Sequence, residues 1–106
     1  NYLLKQNLDL IERNFHCRFG EIDLIALEQE ILVFIEVRYR ENERYLSAIE
    51  TVDQYKCRKI ITTSEYFLNK NKRYRNHQCR FDVITITDTL DKPVIRWIKN
   101  AFQGET

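Results

Sequence analysis

Two apolar runs between Gly20 and Arg40, parted only by Glu28-Gln29-Glu30, constrain this chain more than any other stretch. Leu24, Ile25, Val33, Phe34, Ile35 and Val37 favour extended backbone, and two such runs around a short polar break make a β-hairpin. Side chains alternate between the faces of a strand. Glu21, Asp23 and Ile25 therefore share one face of the first strand, and Leu32, Phe34, Glu36, Arg38 and Arg40 share one face of the second. A loop from Glu28 to Ile31 pairs Leu27 with Leu32, Asp23 with Glu36 and Glu21 with Arg38. A slip of one residue would put Asp23 and Glu36 on opposite faces. In the unslipped register two carboxylates oppose each other, which destabilises a sheet unless something neutralises them. Mg²⁺, which takes one or two carboxylates together with phosphate and water, meets that need.

The rest of the chain sets the frame. At 106 residues, 43% hydrophobic and 31% charged, it reads as one globular domain spanning residues 1–106. No apolar run approaches the roughly 20 residues of a transmembrane helix, and no signal-peptide pattern is present, so a cytoplasmic protein without a membrane is expected. Three cysteines (Cys17, Cys57, Cys79), odd in number and without CxxC spacing, read as reduced, buried thiols. A zinc site from His16, Cys17, His77 and Cys79 is disfavoured, because the spacings match no known finger. The net charge is only +1, but acids prevail up to Glu36 and bases from Val37 to Arg80. An acidic centre beside a basic rim suits a metal site that receives phosphates, and equally a solvated surface.

Taken in order, Asn1 to Leu8 reads as the tail of a helix truncated at its start, and Ile11 to Phe19 as a loose strand that Gly20 turns into the hairpin. Ser47 with Glu50 forms a capping box for a helix from about Ala48 to Leu68. Ile49, Val52, Ile60, Ser64 and Phe67 gather on one side of that helix, with Arg58 and Glu65 opposite. Lys56 falls inside the apolar arc, where it either snorkels to the core's edge or faces the site. Asn69 to Gln78 is a basic loop that contacts phosphates or is merely solvated. Cys79 to Ile84 opens another strand, in which Asp82 accepts hydrogen bonds at the sheet's edge. Asp88 to Lys92 turns into a last strand, Val94 to Ile98, with Ile95, Trp97, Ala101 and Phe102 as an apolar anchor. The expected architecture is α/β (α+β): a mixed sheet of about five strands flanked by helices.

Asp23, Glu36 thirteen positions on, one residue and then a base resemble the catalytic core of restriction-endonuclease-like nucleases, whose pattern ends in Glu-x-Lys. The fuller wording GEIDLIA and VFIEVRYR resembles the uncharacterised bacterial family that includes YraN, as do Arg13-Asn14, Cys79-Arg80-Phe81-Asp82-Val83-Ile84 and the closing segment through Trp97 and Phe102. The resemblance runs from about Leu3 to Phe102. It implies a restriction-endonuclease-like fold, distantly related to archaeal Holliday-junction resolvases, and a metal-dependent endonuclease acting on branched or repair DNA. Asp23 and Glu36, with the Val37 carbonyl, would hold Mg²⁺ or Mn²⁺. Asp23, Glu36, Arg38 and Lys56 would form the catalytic group, and Arg13, Arg40, Lys56, Lys70, Lys72 and Arg73 would contact nucleic acid. Related resolvases cut both strands as dimers, which makes a homodimer an expectation too. A further acid that the family carries upstream has no counterpart here. Arg38 stands where the superfamily has Lys, and arginine does not release a proton. Two alternatives stay open: a nucleic-acid binder without turnover, and an interaction domain whose Glu21, Glu36 and Arg38 form a surface ladder.

Overall fold

The computed structural model describes residues 7–40, 54–88 and 92–103. The two apolar runs form β2 (Gly20–Glu28) and β3 (Ile31–Arg40), preceded by β1 (Asp9–Cys17) and followed by the helix α1 (Gln54–Lys70). A short 3₁₀ turn (Lys72–Tyr74) leads into β4 (Gln78–Thr87), and β5 (Val94–Phe102) follows. These strands form one mixed sheet in the order β1-β2-β3-β4-β5. Only β3 and β4 run parallel, and the crossover that a parallel pair demands carries α1. The class is α+β, as expected.

Leu27 pairs with Leu32 around the two-residue turn Gln29-Glu30. The β2–β3 ladder runs from Glu28–Ile31 to Leu24–Ile35 and stops there. Beyond it the Val37 N–H donates to Asp23 Oδ2 at 2.8 Å, so a side chain stands in for a ladder partner. β3 continues alongside β4 as far as Arg40–Thr87, while β2 continues alongside β1 to its end at Gly20–Cys17. The two strands therefore fork. The expected opposition of Glu21 and Arg38 does not form: Glu21 pairs with His16, and Arg38 with Thr85. A kink in β1 belongs to the same device. Asn14 takes φ 55°, a left-handed backbone that Asn tolerates better than most residues. It falls opposite Asp23, between the pairs Arg13–Leu24 and Phe15–Ile22. The alternation of β2 breaks opposite it, at Asp23, so that Ile22 and Ile25, three residues apart, both enter the helix-side core.

α1 packs over β1 and β2. Its Ile60 and Phe67 join Ile22, Ile25, Leu32, Phe34 and Phe81 in one buried cluster. Phe34 stacks on Phe81 with centroids 5.5 Å apart, and Phe67 meets Phe34 edge-on at 6.1 Å, the two ring geometries that aromatic quadrupoles favour. Ser64 is buried on the same side, while Arg58 and Glu65 are exposed, as the helical wheel predicts. On the other face Leu8, Ala26, Val33, Ile35 and Ile84 form a second buried cluster. β3 is thus apolar on both faces, the usual state of a strand in a parallel pair.

Asp82 is fully buried on β4, an interior strand rather than the expected edge. The β4–β5 register jumps between Phe81 and Val83, and the Asn100 N–H at that irregularity donates to Asp82 Oδ1 at 2.8 Å. Trp97 Nε1 donates to Oδ2 at 2.9 Å, and Arg80 Nε to Oδ1 at 3.0 Å. Arg80 also donates to Glu28 Oε1 at 2.7 Å, and this bond holds the Glu28 carboxyl below its ordinary value. Lys99 reaches Glu28 Oε2 at 3.4 Å. The network ties β4 and β5 to the turn end of β2.

Several expectations are corrected. β1 starts at Asp9 and ends at Cys17, two residues early at each end, and Asn7 (φ 64°) and Leu8 are not helical. α1 runs on to Lys70, and a 3₁₀ turn lies within the basic segment expected as a loop. β5 extends to Phe102, so the terminal anchor is part of the sheet; Ile95 is 40% exposed, whereas Trp97 and Phe102 pack inward. The cysteines are free but not buried: Cys17 and Cys57 are half-buried and Cys79 is exposed. Residues 1–6, the Ser47–Glu50 cap, Ile49 and Val52 lie outside the described residues. Among the described residues no helix is long and apolar enough to cross a membrane.

Removing the Asp82 carboxylate leaves Trp97 Nε1 and the Asn100 N–H without their acceptor and Arg80 short of a counter-charge. Asp82→Ala should therefore lower unfolding free energy by about 3–5 kcal/mol, and Asp82→Asn by less, as read from urea midpoints. Equal midpoints in all three proteins would overturn this assignment.

Candidate functional site

The fork between β2 and β3 brings Asp23 beside Glu36. β3 turns Glu36 toward α1, on the side of Leu32 and Phe34, where the helix-side core leaves it only 7% exposed. Lys56, two residues into α1, places Nζ 2.5 Å from Glu36 Oε2. Arg38, the next residue on that side of β3, brings Nε to 3.5 Å from the same oxygen. Burial pushes the Glu36 carboxyl above its ordinary value of 4.5, and the charge of Asp23 pushes it the same way. The hydrogen bond and charge of Lys56 and the charge of Arg38 oppose this without cancelling it. Asp23 is oriented from the backbone through the Val37 N–H. The group is a pair of carboxylates, one fixed by an amide and one neutralised by two bases.

The four residues expected to act in catalysis are thus brought together; the expected phosphate contacts scatter. Arg13 is exposed on β1 and pairs with Leu24 of the second cluster, so it lies on the side of the sheet away from α1. Lys70 ends α1, fourteen residues beyond Lys56, or about 21 Å along the axis. Lys72 and Arg73 follow in the exposed 3₁₀ turn at that remote end. Arg40 closes β3, paired with Thr87, and its side chain lies outside the described residues. The zinc combination is not assembled: His16-Cys17 ends β1 beside Gly20, whereas His77 just precedes β4 and Cys79 lies at its start, at the Ile31 end of the sheet.

Beside Lys56 lies an open cleft of about 600 Å³, walled by His16, Gly20, Glu21, Tyr55, Lys59 and Ile60. Sequence reasoning singled out neither Tyr55 nor Lys59. Their signal is helical spacing: Lys59 lies one turn beyond both Tyr55 and Lys56 and so shares their side of α1.

A family model described as "Uncharacterised protein family UPF0102" matches residues 1–86. A UPF0102 protein from Alcanivorax borkumensis is 46% identical over 105 residues, covering 98% of this chain and 84% of the relative. One from Psychromonas ingrahamii is 47% identical, covering 97% and 81% respectively. A third, from Stutzerimonas stutzeri, is 42% identical, covering 97% and 86%.

The raised Glu36 carboxyl has a pH consequence. A carboxyl that holds its proton more firmly in the folded state stabilises the fold fully below 4.5, and this contribution is lost as pH rises through the raised value. Glu36→Gln removes the ionisation, so the stability of the variant relative to the parent should improve as pH rises from 4 through that window. Urea titrations at successive pH values measure the gap; a gap independent of pH would contradict the assignment.

Proposed function

This chain belongs to the uncharacterised protein family UPF0102, the family that includes YraN, and on that premise we propose that it is a divalent-cation-dependent endonuclease. Its substrate class is structured DNA, such as branched or repair intermediates. The observation that carries the reading is the meeting of Asp23 and Glu36 at the fork, with Lys56 and Arg38 converging on one Glu36 oxygen.

The donor set fits Mg²⁺ or Mn²⁺. Both carboxylates are hard oxygen ligands, the class these cations prefer. Asp23 and Glu36, with the Val37 carbonyl, would hold the cation, leaving room for water and phosphate. The chemistry such a cation would supply is polarisation of the scissile phosphate and neutralisation of developing charge. The chain's own residues do the rest. The Val37 N–H keeps Asp23 aimed at the fork. Lys56 holds the Glu36 charge until substrate arrives and then turns its ammonium to the phosphate. Arg38 stays charged throughout, so it stabilises the transition state without moving a proton. Of the two bases on Glu36, only Lys56 has a proton to give to the leaving oxygen. A homodimer would bring two such sites to the two strands of a branch. The second reading, a binder without turnover, has one observation behind it: Arg38 occupies the place of the superfamily's lysine.

The test is incubation of the protein with labelled branched and linear DNA in Mg²⁺ and in Mn²⁺. Cutting should appear with the cation and vanish in Asp23→Ala and Glu36→Ala. Binding without cutting by the parent would favour the second reading, and Arg38→Lys would then be expected to restore turnover.

Cation binding has its own readout. Mn²⁺ at a hundredfold excess over its Kd should add about 2.7 kcal/mol of stability, roughly ten degrees or more in Tm for a chain of this size. Asp23→Ala should abolish that rise; an equal rise in the variant would move the cation elsewhere.

A further inference from the structure

We infer that a basic trough leading from the candidate site over the β1–β2 turn binds an unpaired DNA strand, with bases stacked on Phe19 and Tyr55. This deepens the nuclease reading by naming the form of its substrate, DNA with a single-stranded arm, and rests on that reading only for the cutting. The cleft beside Lys56 continues into a second of about 350 Å³, because Tyr55 and Lys59 line both. Arg18, Phe19, Arg58 and Thr62 complete the second, so its described lining holds three cations and no carboxylate. Glu21 is the one acid in the described wall of the first.

The two rings are placed for contact. Tyr55 is 66% exposed and Phe19 37% exposed, so neither is consumed by the core. An edge contact with Tyr66, 5.9 Å between centroids, sets the plane of Phe19. Each ring is accompanied by a cation: Arg18 Cζ lies 4.9 Å from the Phe19 centroid, and Lys59 Nζ lies 5.5 Å from that of Tyr55. Each cation lies over one face of its ring, so a nucleotide can stack its base on the opposite face or displace the cation toward its phosphate. The turn and the helix are held in fixed relation. A Cβ at Gly20 (φ 152°) would sit 3.0 Å from Thr63 Oγ1, so the turn bearing Arg18 and Phe19 closes directly onto the helix bearing Tyr55, Arg58 and Lys59. Cations alone would serve duplex and single strand alike. Bases within a duplex already stack on each other, and only an unpaired base has a face to offer a ring. The rings therefore select the single strand.

The full chain, in EDTA, is titrated with two labelled DNAs of equal length, a blunt duplex and a duplex with a single-stranded arm carrying 2-aminopurine. The arm-bearing DNA should bind roughly tenfold tighter, with quenching of the 2-aminopurine. Tyr55→Ala, which leaves the core untouched, and Phe19→Ala should each remove most of that preference, and Tyr55→Trp should keep it. Equal affinity for both DNAs, or a preference that survives in both alanine variants, would overturn the trough. Asp23→Ala separates the two proposals: it should lose cutting and keep the arm preference. Arm preference in a parent chain that cuts nothing would support the trough and remove the nuclease reading. Cutting without arm preference would do the reverse.

Discussion

The hydrogen bond from the Val37 N–H to Asp23 is the constraint on which the arrangement of this protein turns. Buried amides must be paired, and a strand that loses its neighbour exposes a run of them. β2 leaves β3 just beyond Leu24–Ile35, and the Asp23 carboxylate satisfies the first amide so released. A bond from an amide to a charged acceptor contributes roughly 1.5–3 kcal/mol. It is strong enough to let the sheet fork in an apolar setting. Without the fork, β2 would continue beside β3, and Glu21 would face Arg38 instead of opening toward the cleft.

Asp23 and Asp82 illustrate how one device gives two outcomes. Each accepts an amide at a place where a ladder is broken, Val37 at the fork and Asn100 at the β5 irregularity. Asp82 is then enclosed by Arg80 and Trp97, which occupy both of its oxygens. Asp23 has another carboxylate, Glu36, as its neighbour. A buried acid whose oxygens are all engaged by donors is part of the scaffold. Where it faces a second acid, bases must meet the paired charge, as Lys56 and Arg38 do on Glu36.

The hairpin register and the inward position of Lys56 were legible because both follow from periodicity: two residues per repeat for the strands and 3.6 for the helix. The capacity of Asp82 to accept hydrogen bonds was legible from its setting among apolar strand residues. What escaped reading depended on breaks in periodicity. Asn14 and Asn100 adopt φ near 55°, a habit of Asn that a run of strand-forming residues conceals. Gln29 takes φ 55° in the hairpin turn with no glycine to signal it. Simple antiparallel counting carried the ladder past Leu24 and so matched Glu21 with Arg38. Lys70, Lys72 and Arg73 share a sign of charge with Lys56, but charge has no period, and only the length of α1 reveals how far from it they lie.

The ion network of Glu28, Arg80, Asp82 and Lys99 grips one end of the sheet, and the fork opens the other. A ribbon clamped at one end and split at the other needs something to span the split, and here α1 does so, with Ile60 and Phe67 packed on both prongs and Lys56 on Glu36. The two strands part beyond Leu24–Ile35, and the clamped end stays in register. The spacing of Asp23 and Glu36 therefore depends on the helix that spans the prongs and not on the ladder between them.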